Sequence, residues 1–388
     1  MKTHLLFLSS ALALVSPVFA KGGPAPAPET PRVDPAPASN RVQIALLLDT
    51  SNSMDGLIDQ AKTQLWKVVN TFTDARRDGE APKVEVALYE YGNNGLNQDN
   101  QWVRQVLPLT RDLDELSKAL FALKTNGGEE YCGAVIQRAL GDLSWDADKG
   151  AYKVLFIAGN EPFTQGPVDV RKACREALAK GVVVNTIHCG SRDEGMSGAW
   201  HDGAALGGGK FMIINQDRAV VDIAAPQDKR IAELGVELNK TYLGYGKERA
   251  AGAAKQEAAD KDAHANAASG APAARAVAKA SKNYHNATWD LVDAVREKQV
   301  DPAKLEPTDL PEAMRGLKPE ERAAFVEKAA KDRAEIQGKI VALNREREAF
   351  VAEELKKSAK ETGEKTLDQA IIEATREQAS ALGYKFQP

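Results

Sequence analysis

The chain of 388 residues carries 51 basic and 55 acidic side chains, a formal net charge of −4. A chain of this length has room for more than one structural unit, since domains hold roughly 100–200 residues. The missing basic excess argues against a nucleic-acid partner, whose phosphates require a positive footprint.

The first twenty residues, MKTHLLFLSSALALVSPVFA, combine an early lysine, an apolar run and a small residue at the end. That is the pattern of an export signal, and it places the expected location in the periplasm or outside the cell. The run is shorter than the roughly 20 residues needed to cross a bilayer, and no later run qualifies as a membrane span. Residues 21–40, KGGPAPAPETPRVDPAPASN, alternate proline with alanine and read as an extended spacer.

From Arg41 onward short apolar runs alternate with helical patterns: VQIALLLD, KVEVALYEYG, WVRQVLPLT, KVLFIAG, VVVNTIHCG and KFMIIN. This alternation predicts an α/β fold over 41–220, a doubly wound, mostly parallel six-stranded sheet. The turn-rich NNGLNQDNQ joins the second and third runs, so the third strand is predicted to be an antiparallel edge. Helices are predicted around 55–74, 112–123, 133–143, 168–180 and 199–206. Sheets of this kind bind ligands beyond the carboxyl ends of their strands, and Asp49 closes the first strand there.

In DTSNS, Asp49, Ser51 and Ser53 occupy alternate positions, so in an extended turn their oxygens converge. Set between the strand IALLLD and the helical LIDQAKTQLWKVVNTF, this element resembles the Asp-x-Ser-x-Ser motif of von Willebrand factor A domains. TNGGEEYCG, FIAGNEPFTQGPVD and VVVNTIHCG are further similar to an exported bacterial subgroup of that family. The resemblance covers roughly 41–220. It implies a magnesium or calcium ion at the top of the sheet, and a protein partner that reaches the ion through an acidic side chain.

The family completes its metal shell with a threonine on a second loop and an aspartate after the fourth strand. This chain has Glu130 at the first place, or Glu129 with a one-residue shift; at the second it has Gly159, followed by Asn160 and Glu161. Two readings stand: Glu130 and Glu161 replace the lost ligands, or the metal site has decayed and the scaffold survives. A carboxylate in place of threonine favours calcium and weakens the ion's pull on an acidic partner. Ser51 and Ser53 can also be explained without metal, as caps of the following helix.

Tyr131, Asn160 and Phe163 are candidate partner contacts, with Phe163 expected on the upper rim in the turn-rich GNEPFTQGPVD. For Phe163 the alternative is that its loop is simply the crossing into a helix starting near Val168, and Tyr131 has the same two readings; Trp102 and Trp200 are expected to pack in the core or under loops. Export would permit a disulfide, and Cys174 with Cys189 is the expected pair, leaving Cys132 free. His188 directly precedes Cys189, so on a strand the two point to opposite faces and form no dyad.

Residues 221–388 are rich in alanine, glutamate, lysine and arginine and predict an all-α region. Few large apolar groups fall between 250 and 280, so weak packing is expected there. A long helix is predicted over about 319–360, with Ile336, Ile340, Leu343 and Phe350 on a narrow stripe suited to a helical hairpin or coiled coil. A final helix, 366–381, is expected to turn Leu367, Ile371 and Ala374 toward it, and these helices could join copies of the chain. The expected function is an exported adhesion or scaffold protein without a catalytic site. Its alternatives are a hydrolase at the same rim, using Ser51 or Glu130 with Glu161 as acid and base, and a structural protein with a vestigial metal site.

Overall fold

The computed structural model describes residues 39–73, 75–214, 223–266, 270–362 and 367–386. The expected export signal and all but the last two residues of the spacer lie outside them. Strand β1 (Arg41–Asp49) runs through the centre of the sheet, parallel to both β2 (Lys83–Tyr91) and β4 (Tyr152–Gly159). With a neighbour on each edge and helices on each face it needs apolar residues on both sides, hence the near-continuous VQIALLL. Helix α1 (Asp55–Asn70) follows β1, and the antiparallel β3 (Val103–Thr110) closes one edge as predicted. Beyond it come α2 (Leu113–Phe121) and α3 (Cys132–Asp142), then α4 (Val170–Ala179) after β4. Next are β5 (Val183–Cys189), the short α5 (Arg192–Ser197), α6 (Trp200–Leu206) and β6 (Gly208–Ile214), giving the sheet order β3-β2-β1-β4-β5-β6. Only α5 has no counterpart among the predicted elements.

Alternate side chains of β1 feed two cores. Val42 and Ile44 join Trp66, Phe72, Leu116 and Leu120 under α1 and α2, while Ala45 and Leu47 join Val135, Ile136, Ala173 and Trp200 under α3, α4 and α6.

The remaining helices are α7 (Asp228–Asn239), α8 (Arg249–Ala265), α9 (Ala271–Ala280), α10 (Leu291–Arg296), α11 (Pro319–Thr362) and α12 (Leu367–Ala381). Two expectations need correction. The alanine-rich α9 is not weakly packed: its small side chains let it lie close against α1 and α7, with Ala273, Ala276 and Val277 buried beside Ile231 and Leu234. Buried charges hold the same contact, since the Arg275 guanidinium pairs with Asp114 of α2 at 2.7 Å and Asp260 of α8 at 2.8 Å, stacked 4.6 Å from the Trp66 ring. Lys279 completes the group at 2.7 Å from Asp260, its ammonium pushed down to about 8 by burial and by Arg275.

The second correction concerns α11 and α12, which do not form a hairpin with each other. The α11 stripe, Ile336, Ile340 and Leu343, packs instead on α7 and α9. Just before this stripe on α11, Arg333 pairs with Asp290 at 2.7 Å and Asp293 at 3.1 Å. Helix α12 returns to the sheet, packing on α1 and β6 with Ile371 in the first core; the side chain of Leu367 is outside those described. Gln378 exchanges hydrogen bonds with Asn185, and the Tyr384 hydroxyl donates to the Arg41 carbonyl at 2.9 Å. The boundary expected at residue 220 is therefore crossed by the chain's own last helix. No described helix is long and apolar enough to cross a membrane.

Candidate functional site at the carboxyl edge of the sheet

Asp49 ends β1 at the carboxyl edge, wholly buried. Its Oδ1 accepts the Ser51 amide at 2.8 Å, and its Oδ2 has no hydrogen-bond partner. The chain then enters a single turn of 3-10 helix over Asn52–Met54, for which Ser51 is the N-cap residue without a side-chain cap bond. The capping explanation of Ser51 therefore does not hold. Its hydroxyl instead lies 3.2 Å from that of Ser53, which also accepts the Asn160 side-chain amide at 3.1 Å.

Two loops converge on this turn. The Asn126 amide donates to the Thr50 carbonyl at 2.9 Å and the Asn94 amide to the Gly127 carbonyl at 2.6 Å, which ties the segment before α3 to both β1 and β2. Glu130 is thereby drawn inside, 6% exposed, with Oε2 lacking a partner and a hydrogen bond from Ser51. Gly92 lies between the two acids with φ +79°. A Cβ there would fall 2.7 Å from both Asp49 Oδ1 and Glu130 Cγ, so glycine is required by conformation and by space.

Burial first, then the Glu130 charge, hold the Asp49 carboxyl well above its usual range. Burial raises Glu130 from 4.5 to about 7 against the opposing Ser51 hydrogen bond, with Glu161 and Glu129 adding to the rise. The folded protein thus keeps protons on this pair that the unfolded chain releases. By linkage, the stability of the cation-free protein falls as pH rises from about 4.5 through about 7. In chelator, Glu130→Gln is expected to reduce that fall, leaving the share due to Asp49, and to be more stable than wild type at about pH 8. Urea denaturation at about pH 5 and about pH 8 measures both.

The other predicted site residues divide. Asn160 donates its side-chain amide to Ser53. Glu161 keeps its side chain in solvent, close enough to oppose the ionisation of both buried acids. Tyr131 is half-buried, edge-on to Trp102 at 5.4 Å. Phe163 is not on the rim: it is fully buried 4.7 Å from Trp200, because α6 packs its Gly203 over the ring. The Cys174–Cys189 disulfide is not formed either. All three cysteines are free and buried, and these two lie in the cores on opposite faces of the sheet.

Sequence reasoning missed Tyr91. Its hydroxyl donates to the Ala158 carbonyl at 2.9 Å and fills the space over Gly159, where a Cβ would come within 2.6 Å of it. His188, paired in register with Gly159, is buried against Trp200 at 5.6 Å with neither ring nitrogen hydrogen-bonded.

Among the described residues no cluster of three or more His, Cys, Asp or Glu side chains is arranged to hold a metal. The oxygens that do converge are of another kind: two carboxylates with unpartnered atoms, two serine hydroxyls and the unpartnered Oδ1 of Asn160. This all-oxygen set fits a hard divalent cation, which would offset the buried negative charge. Asp49, Glu130, Ser51 and Ser53 would hold it.

A doubly wound sheet with an aspartate–serine turn at its carboxyl edge defines a class. Within that class, the chain contains a von Willebrand factor type A domain, whose family model matches residues 43–196. Similar solved structures include the conserved hypothetical protein BatB of Bacteroides thetaiotaomicron, at 17% identity over 45% of this chain and 90% of that one, TM-score 0.34. Another is the SpRpn10 VWA domain, at 17% identity over 45% of this chain and 88% of that one, TM-score 0.34. The vWF domain of the type V pili tip protein Mfa5 of Porphyromonas gingivalis has 12% identity over 46% of this chain and 90% of that one, TM-score 0.32. At such identities a shared function does not follow. No curated protein sequence matches the chain.

Proposed function

We propose that the protein is an exported, non-enzymatic recognition module that binds a protein partner through the carboxyl-edge rim, with a magnesium or calcium ion held under it. The observation that carries this reading is the pair of buried acids, Asp49 and Glu130, which flank Gly92 at the rim and each keep one carboxylate oxygen without a partner. Buried carboxylates left without a partner cost free energy, and a bound cation removes that cost. The periplasmic or extracellular location rests on the signal-like first twenty residues.

Saturating magnesium or calcium is expected to raise the melting temperature, since ligand at about a hundred times its Kd adds about 2.7 kcal/mol. Asp49→Ala should lose that rise. The recognition surface itself is tested by photo-cross-linking in an envelope extract. A photoreactive side chain at the exposed Asn52 or Asn94 is expected to capture the partner, and the same group at the exposed Glu335 of α11 is not. Capture from α11 alone would move the partner surface to the helical region.

A further inference from the structure

The charge of this molecule is unevenly placed. Besides the turn 190–199 after β5, four segments lie at the rim: 49–55, 92–102, 122–131 and 160–169. Together they contain seven acidic residues and one basic residue, Lys124, a net −6 against −4 for the entire chain, so the remainder is net positive. The rim is also where Asp49 and Glu130, each less than a tenth exposed and each with one unpartnered carboxylate oxygen, lie on either side of Gly92. Among the groups acting most strongly on these two acids none is basic; Glu161 and Glu129 are of like sign. A divalent ion bound here would offset the two buried acids and leave the exposed ones, Glu129 and Glu161 among them, facing outward.

Resting on the reading of the rim as the recognition surface, we infer that the partner presents a lysine- or arginine-rich protein segment to it. An acidic segment meets four loops of like charge within about one Debye length, ~10 Å at moderate salt. Like-charge juxtaposition of that kind excludes partners, whereas opposite charge speeds encounter and fixes register. The inference reverses the acidic-partner expectation that the family resemblance raised, and the exposed Glu129 and Glu161 carry the reversal, since the buried Glu130 is offset by the ion.

The test uses the full chain with fluorescein-labelled decalysine and decaglutamate peptides, read by fluorescence anisotropy in chelator and in calcium. Decalysine is expected to bind in both buffers, more weakly as salt rises, and about tenfold more weakly to Glu129→Gln/Glu161→Gln. Glu129 and Glu161, like the control positions Glu320 and Glu321 at the start of α11, are exposed, and the buried Glu130 stays unchanged. Glu320→Gln/Glu321→Gln removes the same charge and is expected to leave binding intact. Equal weakening by both pairs would show attraction to net charge alone and overturn the inference, as would no decalysine binding. Decaglutamate binding that needs calcium and is lost in Asp49→Ala would overturn it while leaving the rim as the recognition surface. If, in addition, cross-linking from Asn52 and Asn94 captures nothing, the proposed function fails with it.

Discussion

Arg275→Met is expected to destabilise the protein by about 3–5 kcal/mol, a large part of a typical total stability of about 5–15 kcal/mol. Methionine keeps the apolar contact with Trp66 but leaves Asp114 with no cation, and Asp260 with Lys279 alone. Asp114 is 2% exposed, so water does not replace the lost partner. Adding Asp114→Asn should recover a substantial part of the loss, because it removes the stranded charge; the two effects are then non-additive. Urea denaturation of the single and double variants gives both numbers. The consequence extends to the rim, since α2 leads into the segment that carries Glu130. If Arg275→Met unfolds only α7–α11 and leaves the sheet domain's transition unchanged, the helical region is an appendage and not part of the same unit.

The second large effect is expected from Gly159→Asp, which restores the family's aspartate. Its Cβ would lie 2.6 Å from the Tyr91 hydroxyl, 3.0 Å from Asp49 Oδ2 and 3.2 Å from the Trp200 ring. Overpacking of this sort costs about 1–3 kcal/mol, and a third carboxylate beside Asp49 adds like-charge repulsion. The variant should therefore melt lower than wild type in chelator and in magnesium alike. Tighter magnesium binding without loss of stability would show that the glycine is only a missing ligand. The packing around it argues otherwise: Tyr91 has taken the position and donates its hydrogen bond to Ala158.

What could be read from the sequence was what is local. Apolar runs of strand length, the turn-rich hairpin loop and the position of Asp49 carried the sheet and its carboxyl edge. Glu130 lies beside Asp49 across Gly92. Several of the failures involve contacts distant in sequence. Proline and glycine mark the loop around Phe163 as a turn, but the inward direction of the ring is set by Gly203, forty residues away. An alanine-rich stretch gives α9 no apolar stripe to read, and its docking depends on Arg275 meeting Asp114. The same holds for α12, whose Gln378 finds Asn185 across most of the domain.

The central claim is that oxygens from separate segments gather at the carboxyl edge of the sheet and form one ion-dependent recognition surface. Amide hydrogen exchange with and without saturating calcium tests it most directly. The expected result is new protection confined to 49–55, 92–94, 126–131 and 160–161, absent in Asp49→Ala. Protection elsewhere in the chain, or none at the rim, would contradict it.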